Sequence, residues 1–223
     1  MTFLTLREEV ARTARRLAKA GLLIGTAGNV SARSEDRVAV TGSGVVLAEC
    51  TADDVTVVDR SGAVLDGSLA PTSELSLHLG VYDDTETAAV VHTHAPYATA
   101  VACVLDELPV LHYQQLLLGG AVRVAPYATF GTPGLAASVR TGLADRQAVL
   151  MANHGSVTIG ASLTAAAENA ELLEWLAALH HRAATLGVPR ELTPAEQDDV
   201  IRQALSRNYG TVHAVDSEER NSQ

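Results

Sequence analysis

The chain has 223 residues, 47% of them hydrophobic but only 4% aromatic, with a formal net charge of −10; this length and composition suit one large core of Ala, Val and Leu with helices packed on a sheet. The acidic balance, with no Lys/Arg cluster to offset it, argues against nucleic acid as a partner. No apolar run approaches ~18 residues, no signal core follows Met1, and Cys50 and Cys103 lack metal-ligand spacing or a disulfide framework, so membrane insertion and secretion are not expected and a cytoplasmic setting is.

Leu6, Val10, Thr13, Ala14 and Leu17 predict an amphipathic helix over 5–20, ended by Gly21. Beyond the glycine-rich stretch 25–29, strand-like runs at 30–32 and 38–41 precede a β-hairpin formed by 55–59 and 63–66. Pro71-Thr72-Ser73-Glu74 opens a helix to about Tyr82, followed by a buried strand over 88–93 and a helix over 96–104. Short strands near Val110 and at 122–125 bracket a helix around 113–118. A helix over 133–143 leads to strands at 148–151 and 157–159, separated by a turn at His154-Gly155; helices over 163–186 and 194–206 complete the pattern. A central mixed sheet sandwiched between helices is expected. The tail over 215–223 is polar enough to be disordered.

His92-Thr93-His94 closes the apolar run 88–91. Side chains alternate along a strand, so the two imidazoles share one face a little under ~7 Å apart along the backbone. His154, in Ala152-Asn153-His154-Gly155, also follows an apolar strand. Three nitrogens gathered on one rim leave coordination positions open, the pattern of a catalytic rather than a structural zinc. The competing reading of His92 and His94 is a strand end that merely exposes two histidines; His154 tips the balance toward a shared metal.

Glu74 is the candidate base, its alternative being a first-turn carboxylate favoured by the helix dipole. His78, one turn later, is either a metal neighbour or a buried histidine bonded to backbone. His112 reads as structural, and His180 and His181 as surface or partner contacts. Three small-residue segments, 25–29, 41–44 and 71–73, can surround a phosphate through backbone N–H groups and hydroxyls, although each alone reads as a turn.

As an ordered set, Gly28-Asn29-Val30-Ser31, Thr41-Gly42-Ser43-Gly44, Pro71-Thr72-Ser73-Glu74 with His78, Val91-His92-Thr93-His94, His112-Tyr113, the stretch 125–132 and Asn153-His154-Gly155 resemble the class II aldolase/adducin family, most closely its fuculose-phosphate aldolase branch. The resemblance runs from about Leu6 to Gly210. It implies an α/β fold, a three-layer αβα with a central mixed, largely antiparallel sheet, in a single domain over 1–214. It implies Zn2+, or another divalent metal, on His92, His94 and His154, with Glu74 on or near the metal at rest and acting as base afterwards. A phosphate site follows from Gly28, Asn29, Ser43, Gly44, Thr72 and Ser73. Tyr113 would serve the aldehyde oxygen in a neighbouring subunit's site, and Tyr209 would help close it, in a homotetramer with sites between subunits. Thr72 departs from the family's more usual serine.

The expected activity is reversible cleavage of a ketose 1-phosphate, L-fuculose 1-phosphate or a 5-deoxypentulose 1-phosphate, to dihydroxyacetone phosphate and an aldehyde, with the metal stabilising an enediolate. The rivals on the same scaffold are 4-epimerisation, methylthioribulose-phosphate dehydration, oxo-acid phosphate decarboxylation, and an inactive adducin-like interaction module. Glu74 together with Tyr113 favours carbon–carbon cleavage.

Overall fold

The structure, a computed structural model of the chain, describes residues 2–207 and residue 210. The expected end of the domain at 214, the tail over 215–223 and Tyr209 lie outside the described residues. Helix α1 (Phe3–Lys19) starts at Thr2, whose side-chain oxygen accepts from the Thr5 N–H, and buries Leu6, Val10, Ala14 and Leu17, the stripe that its helical spacing dictates. Strands β1 (Asn29–Ser34), β2 (Arg37–Thr41), β3 (Val55–Asp59), β4 (Val64–Asp66), β5 (Ala89–Thr93), β6 (Glu107–Leu108), β7 (Val122–Ala125), β8 (Ala148–Met151) and β9 (Gly155–Gly160) form a sheet of order β4-β3-β2-β1-β5-β9-β8-β7-β6. Every adjacent pair is antiparallel except β7 and β8.

Helices α2 (Leu75–Asp84), α3 (Pro96–Ala102), α4 (Pro133–Gly142) and α5 (Leu163–Leu186) cover the two faces of this sheet. Val30, Ala32, Ala89, Val91 and Leu150 pack with residues of α1, α3 and α5, whereas Val90, Val149, Met151, Val157 and Ile159 pack with residues of α2 and α4. Burial on both faces explains why Ala89-Val90-Val91 reads as an unbroken apolar run rather than an alternating one. The result is the expected αβα arrangement with a mixed, largely antiparallel sheet.

The strand expected near Val110 ends earlier, at Leu108. Leu108 pairs with Val122, and the next residue, Pro109, has no N–H with which to extend the ladder. Residues Tyr113–Leu118 form a 3-10 helix closed by Gly119 at φ +95°. Two 3-10 turns, Leu47–Glu49 and Ala52–Asp54, fill a stretch in which the sequence showed no periodicity.

By its contacts the chain separates into two units, Met1–Glu191 and Leu192–Gln223. Helix α6 (Pro194–Arg207) belongs to the second, where Thr193 and Glu196 exchange hydrogen bonds around its start. Among the described residues no helix is long and apolar enough to cross a membrane.

Candidate active site

Two neighbouring strands carry the centre of the site. β1 and β5 run antiparallel with Asn29 opposite His92 and Ser31 opposite Val90. Alternation sends Asn29 and Ser31 to the α2 face and Val30 and Ala32 to the other. On β5 the same rule places His92 beside Asn29. His94, one residue past the strand, is held by its N–H on the Leu22 carbonyl at 3.2 Å. The turn from β8 to β9 brings in His154 through Asn153, whose φ of +55° lies in the left-handed region that asparagine tolerates. Gly155 follows because a Cβ there would collide with the Thr93 carbonyl.

The three imidazoles converge, with ring centroids 4.8, 4.9 and 5.0 Å apart. One nitrogen from each lies within 4.8 Å of the others. The His92 Nδ1–H donates to the Ser156 carbonyl at 2.9 Å, which leaves Nε2 of the neutral ring with a lone pair. That lone pair meets His94 Nε2 at 3.0 Å and Glu74 Oε2 at 3.2 Å, while Glu74 Oε1 lies 3.7 Å from His154 Nε2. Lone pairs turned on one another are unfavourable unless a proton or a cation lies among them. Glu74 Oε1 is also buried with no hydrogen-bond partner among the described residues, a costly state for a carboxylate oxygen. Three nitrogens and a carboxylate therefore fit a divalent cation.

Burial disfavours charge on His94 and His154, and the neighbouring imidazoles add to the effect; the His94 pKa is pushed down to about 4 and that of His154 is lowered. Neutral rings are the form that ligates. Burial works to raise the Glu74 pKa, but the Asn29 amide and any proton or cation placed between the carboxylate and His92 or His154 outweigh it, so the carboxyl is held below its usual range.

Glu74 stands at the N-terminus of α2, its own N–H on Thr72 Oγ1 at 3.3 Å. Its side chain turns inward and accepts from Asn29 Nδ2 at 2.8 Å. His78 lies behind this pair, fully buried, with Nε2 on Asn29 Oδ1 and Nδ1 2.7 Å from Ser31 Oγ, which in turn lies 2.7 Å from the Tyr82 hydroxyl. His78 is thus bonded to side chains, not to backbone and not among the converging histidines. Ser31 and Tyr82 were given no role at the site from sequence. Their signal was present as four-residue spacing of Glu74, His78 and Tyr82 on one helical face, and two-residue spacing of Asn29 and Ser31 on a strand.

A cavity of about 310 Å3 opens over the histidines. Gly28, Asn29, Ser43, Gly44, Thr72 and Ser73 all line it, alongside Glu74, His94 and His154. Gly28 has no alternative: its φ is +94°, and a Cβ would stand 2.5 Å from Leu23 Cδ2 and 2.8 Å from the His92 carbonyl. No lysine or arginine is among the described lining residues, so an anion here relies on backbone dipoles, hydroxyls and a bound cation. Thr26, Tyr127, Phe130 and Asn153 line the same cavity; the sequence placed them in the segments 25–29, 125–132 and 153–155 without giving any of them a role of its own. Tyr113 does not line the cavity of its own chain; it stands partly exposed on its 3-10 helix, 4.6 Å between ring centroids from His112. His112 also packs edge-on against Trp175, as a structural histidine would.

Residues 8–181 match the family model described as Class II Aldolase and Adducin N-terminal domain. A 5-deoxy-D-ribulose 1-phosphate aldolase of Bacillus thuringiensis serovar kurstaki is 36% identical over 200 residues, covering 88% of this chain and 94% of that protein. A 5-methylthioribulose-1-phosphate/5-deoxyribulose-1-phosphate aldolase of Rhodospirillum rubrum is 34% identical, with 93% of each chain covered. Among solved structures, an L-fuculose 1-phosphate aldolase superposes with a TM-score of 0.86 at 33% identity, covering 89% of this chain and 95% of that one.

Proposed function

The chain belongs to the class II aldolase and adducin family and is a carbon–carbon lyase of it, and from that premise we propose that it reversibly cleaves a ketose 1-phosphate to dihydroxyacetone phosphate and an aldehyde, using Zn2+. The observation that carries this reading is the meeting of His92, His94, His154 and Glu74 at a cavity otherwise lined by small, neutral groups. The histidines and Glu74 would hold the cation, which when bound supplies Lewis acidity that stabilises negative charge on the ketose oxygens.

In cleavage the C4 hydroxyl gives up its proton and becomes the aldehyde as the C3–C4 bond breaks. The electron pair of that bond passes into the enediolate of dihydroxyacetone phosphate. Glu74, ionised at rest, takes up a proton from solvent in place of the one that the C4 hydroxyl releases and delivers it to C3; in the synthetic direction the same carboxylate removes it and returns it to solvent. Ser43, Gly44, Thr72, Ser73, Gly28 and Asn29 hold the phosphate, fixing C3 relative to Glu74. Tyr113 of a neighbouring subunit exchanges a proton with the aldehyde oxygen, in a homotetramer whose sites lie between subunits. Tyr209 is proposed to help close the site.

Two relatives named as 5-deoxyribulose 1-phosphate aldolases make that ketose the first substrate to try, with L-fuculose 1-phosphate second. The purified, metal-analysed protein is incubated with each, and dihydroxyacetone phosphate and the aldehyde are measured with and without chelator. Chelator-sensitive release of both products is expected. An epimer, a dehydrated product or carbon dioxide from an oxo-acid phosphate, with no release from either ketose, would replace this reading with one of its rivals.

A further inference from the structure

Behind the cavity, Glu74 and Asn29 head a buried polar chain whose other members, His78, Ser31 and Tyr82, the proposed chemistry does not itself use. Glu74, His78 and Tyr82 are spaced four apart at the start of and along α2, a rise of ~6 Å per step. Asn29 and Ser31 are two apart on β1, a rise of ~6.6 Å. These near-equal steps let the helix and strand side chains interleave: Glu74 on Asn29, His78 on Asn29 and Ser31, and Tyr82 on Ser31. All five are buried.

The direction of every hydrogen bond in this chain follows from its cavity end. An ionised carboxylate only accepts, so Asn29 must present its NH2 to Glu74 Oε2. Asn29 Oδ1 then faces His78 and requires a donor, which places a proton on His78 Nε2. His78 is fully buried with only the neutral side chains of Asn29 and Ser31 against its ring nitrogens, so the ring is neutral, Nδ1 is an acceptor and the Ser31 hydroxyl donates to it. The Tyr82 hydroxyl can then donate to Ser31 Oγ. Glutamine or leucine in place of His78 would leave Nδ1's role or both roles unfilled; a rigid ring with one donor and one acceptor edge fills both.

We propose that His78 is a positioning residue that acts through Asn29: its Nε2–H locks the Asn29 amide with NH2 toward Glu74, and so fixes the angle at which the carboxylate meets the reacting carbon. Ser31, backed by Tyr82, keeps the His78 proton on Nε2. Without that donor the amide is free to turn its oxygen toward Glu74, which repels the carboxylate from its working position. The catalytic part of this inference rests on Glu74 being the base of the proposed cleavage; the hydrogen-bond order does not.

The test has two arms. Nitrogen-15 NMR of histidine-labelled protein, with His78→Gln used to assign the signal, reads the tautomer directly. A His78 ring protonated at Nε2 and bare at Nδ1 is expected, and the opposite tautomer overturns the proposal whatever the enzyme's substrate. In the second arm His78→Leu lowers kcat by about 10- to 100-fold, as loss of a supporting hydrogen bond around a metal site typically does. KM and bound metal stay near those of the parent, and His78→Gln, which keeps a donor, recovers most of the loss. In an Asn29→Ala background His78→Leu costs little more, because the partner through which it acts is gone. Full additivity, or an unchanged kcat beside a lower melting temperature, overturns the proposal. Should His78→Leu fail to fold, Ser31→Ala keeps the ring and is expected to yield mixed tautomers with a smaller loss in kcat; a single Nε2–H tautomer and an unchanged kcat in that variant overturn it. Correct tautomers in a protein that cleaves no ketose phosphate would instead refute the proposed function and leave the hydrogen-bond order standing.

Discussion

Glu74 faces two demands that its surroundings answer separately. Oε2 is held by Asn29, while Oε1 is left open toward His154, the side from which the proposed cation and substrate proton would be reached. Glu74→Gln keeps the shape and the contact with a cation but cannot take a proton, so cleavage is expected to fall by about 10^2- to 10^4-fold, with bound metal retained; steady-state kinetics beside metal analysis check this. His78 and His94 make a second prediction at the same scale. Both have folded-state pKa values below the ordinary 6.5, about 3 and about 4, so between those values and 6.5 the unfolded chain binds protons that the folded chain does not. Stability is therefore full above about pH 6.5 and is lost as pH falls from there toward 3. Thermal melting of metal-free protein across this range is expected to fall more steeply for the parent than for His78→Gln. Equal slopes would remove the buried neutral histidine from the account.

At the scale of elements, α4 meets the sheet through Gly142, where a Cβ would overlap Val149 Cγ2 on β8. Alanine is the better helix former by about 1 kcal/mol, but overpacking a close contact costs about 1–3 kcal/mol, so Gly142→Ala is expected to destabilise, read as a lower midpoint in denaturant. Elements were legible where a period was clean: the helix at Phe3–Lys19, the strand at Ala89–Thr93 and the long helix at Leu163–Leu186 lie close to where apolar spacing put them. Pro109 shows why the short strand beside it was misplaced, since the residue that ends a ladder also sits within an apolar run. In the site, His92 and His94 were readable because two residues apart on a strand means one face. The partnership of Asn29 with His78 was not readable, because it depends on α2 crossing β1, a contact between segments 49 residues apart that no local spacing states.

Across the whole molecule, the fold gathers the residues proposed to hold phosphate and metal at one cavity, while the tyrosine proposed to serve the aldehyde oxygen is not among its described lining residues. Tyr113 stands partly exposed and away from its own cavity, which is the arrangement that a site shared between subunits requires. Co-expressing Glu74→Gln with Tyr113→Phe subunits is expected to restore part of the activity that each variant alone has lost, since some mixed interfaces pair an intact Glu74 with a neighbour's intact Tyr113. No recovery in verified mixed oligomers would place Tyr113 outside the reaction. The central claim, that Glu74 moves a carbon-bound proton beside a metal held by three histidines, is tested most directly by following dihydroxyacetone phosphate alone in D2O by proton NMR with metal-loaded protein. One of the two hydroxymethyl hydrogens is expected to exchange with solvent, and the exchange to vanish with chelator and in Glu74→Gln. A metal-loaded protein that exchanges neither hydrogen, or a Glu74→Gln variant that exchanges as fast as its parent, would contradict the account.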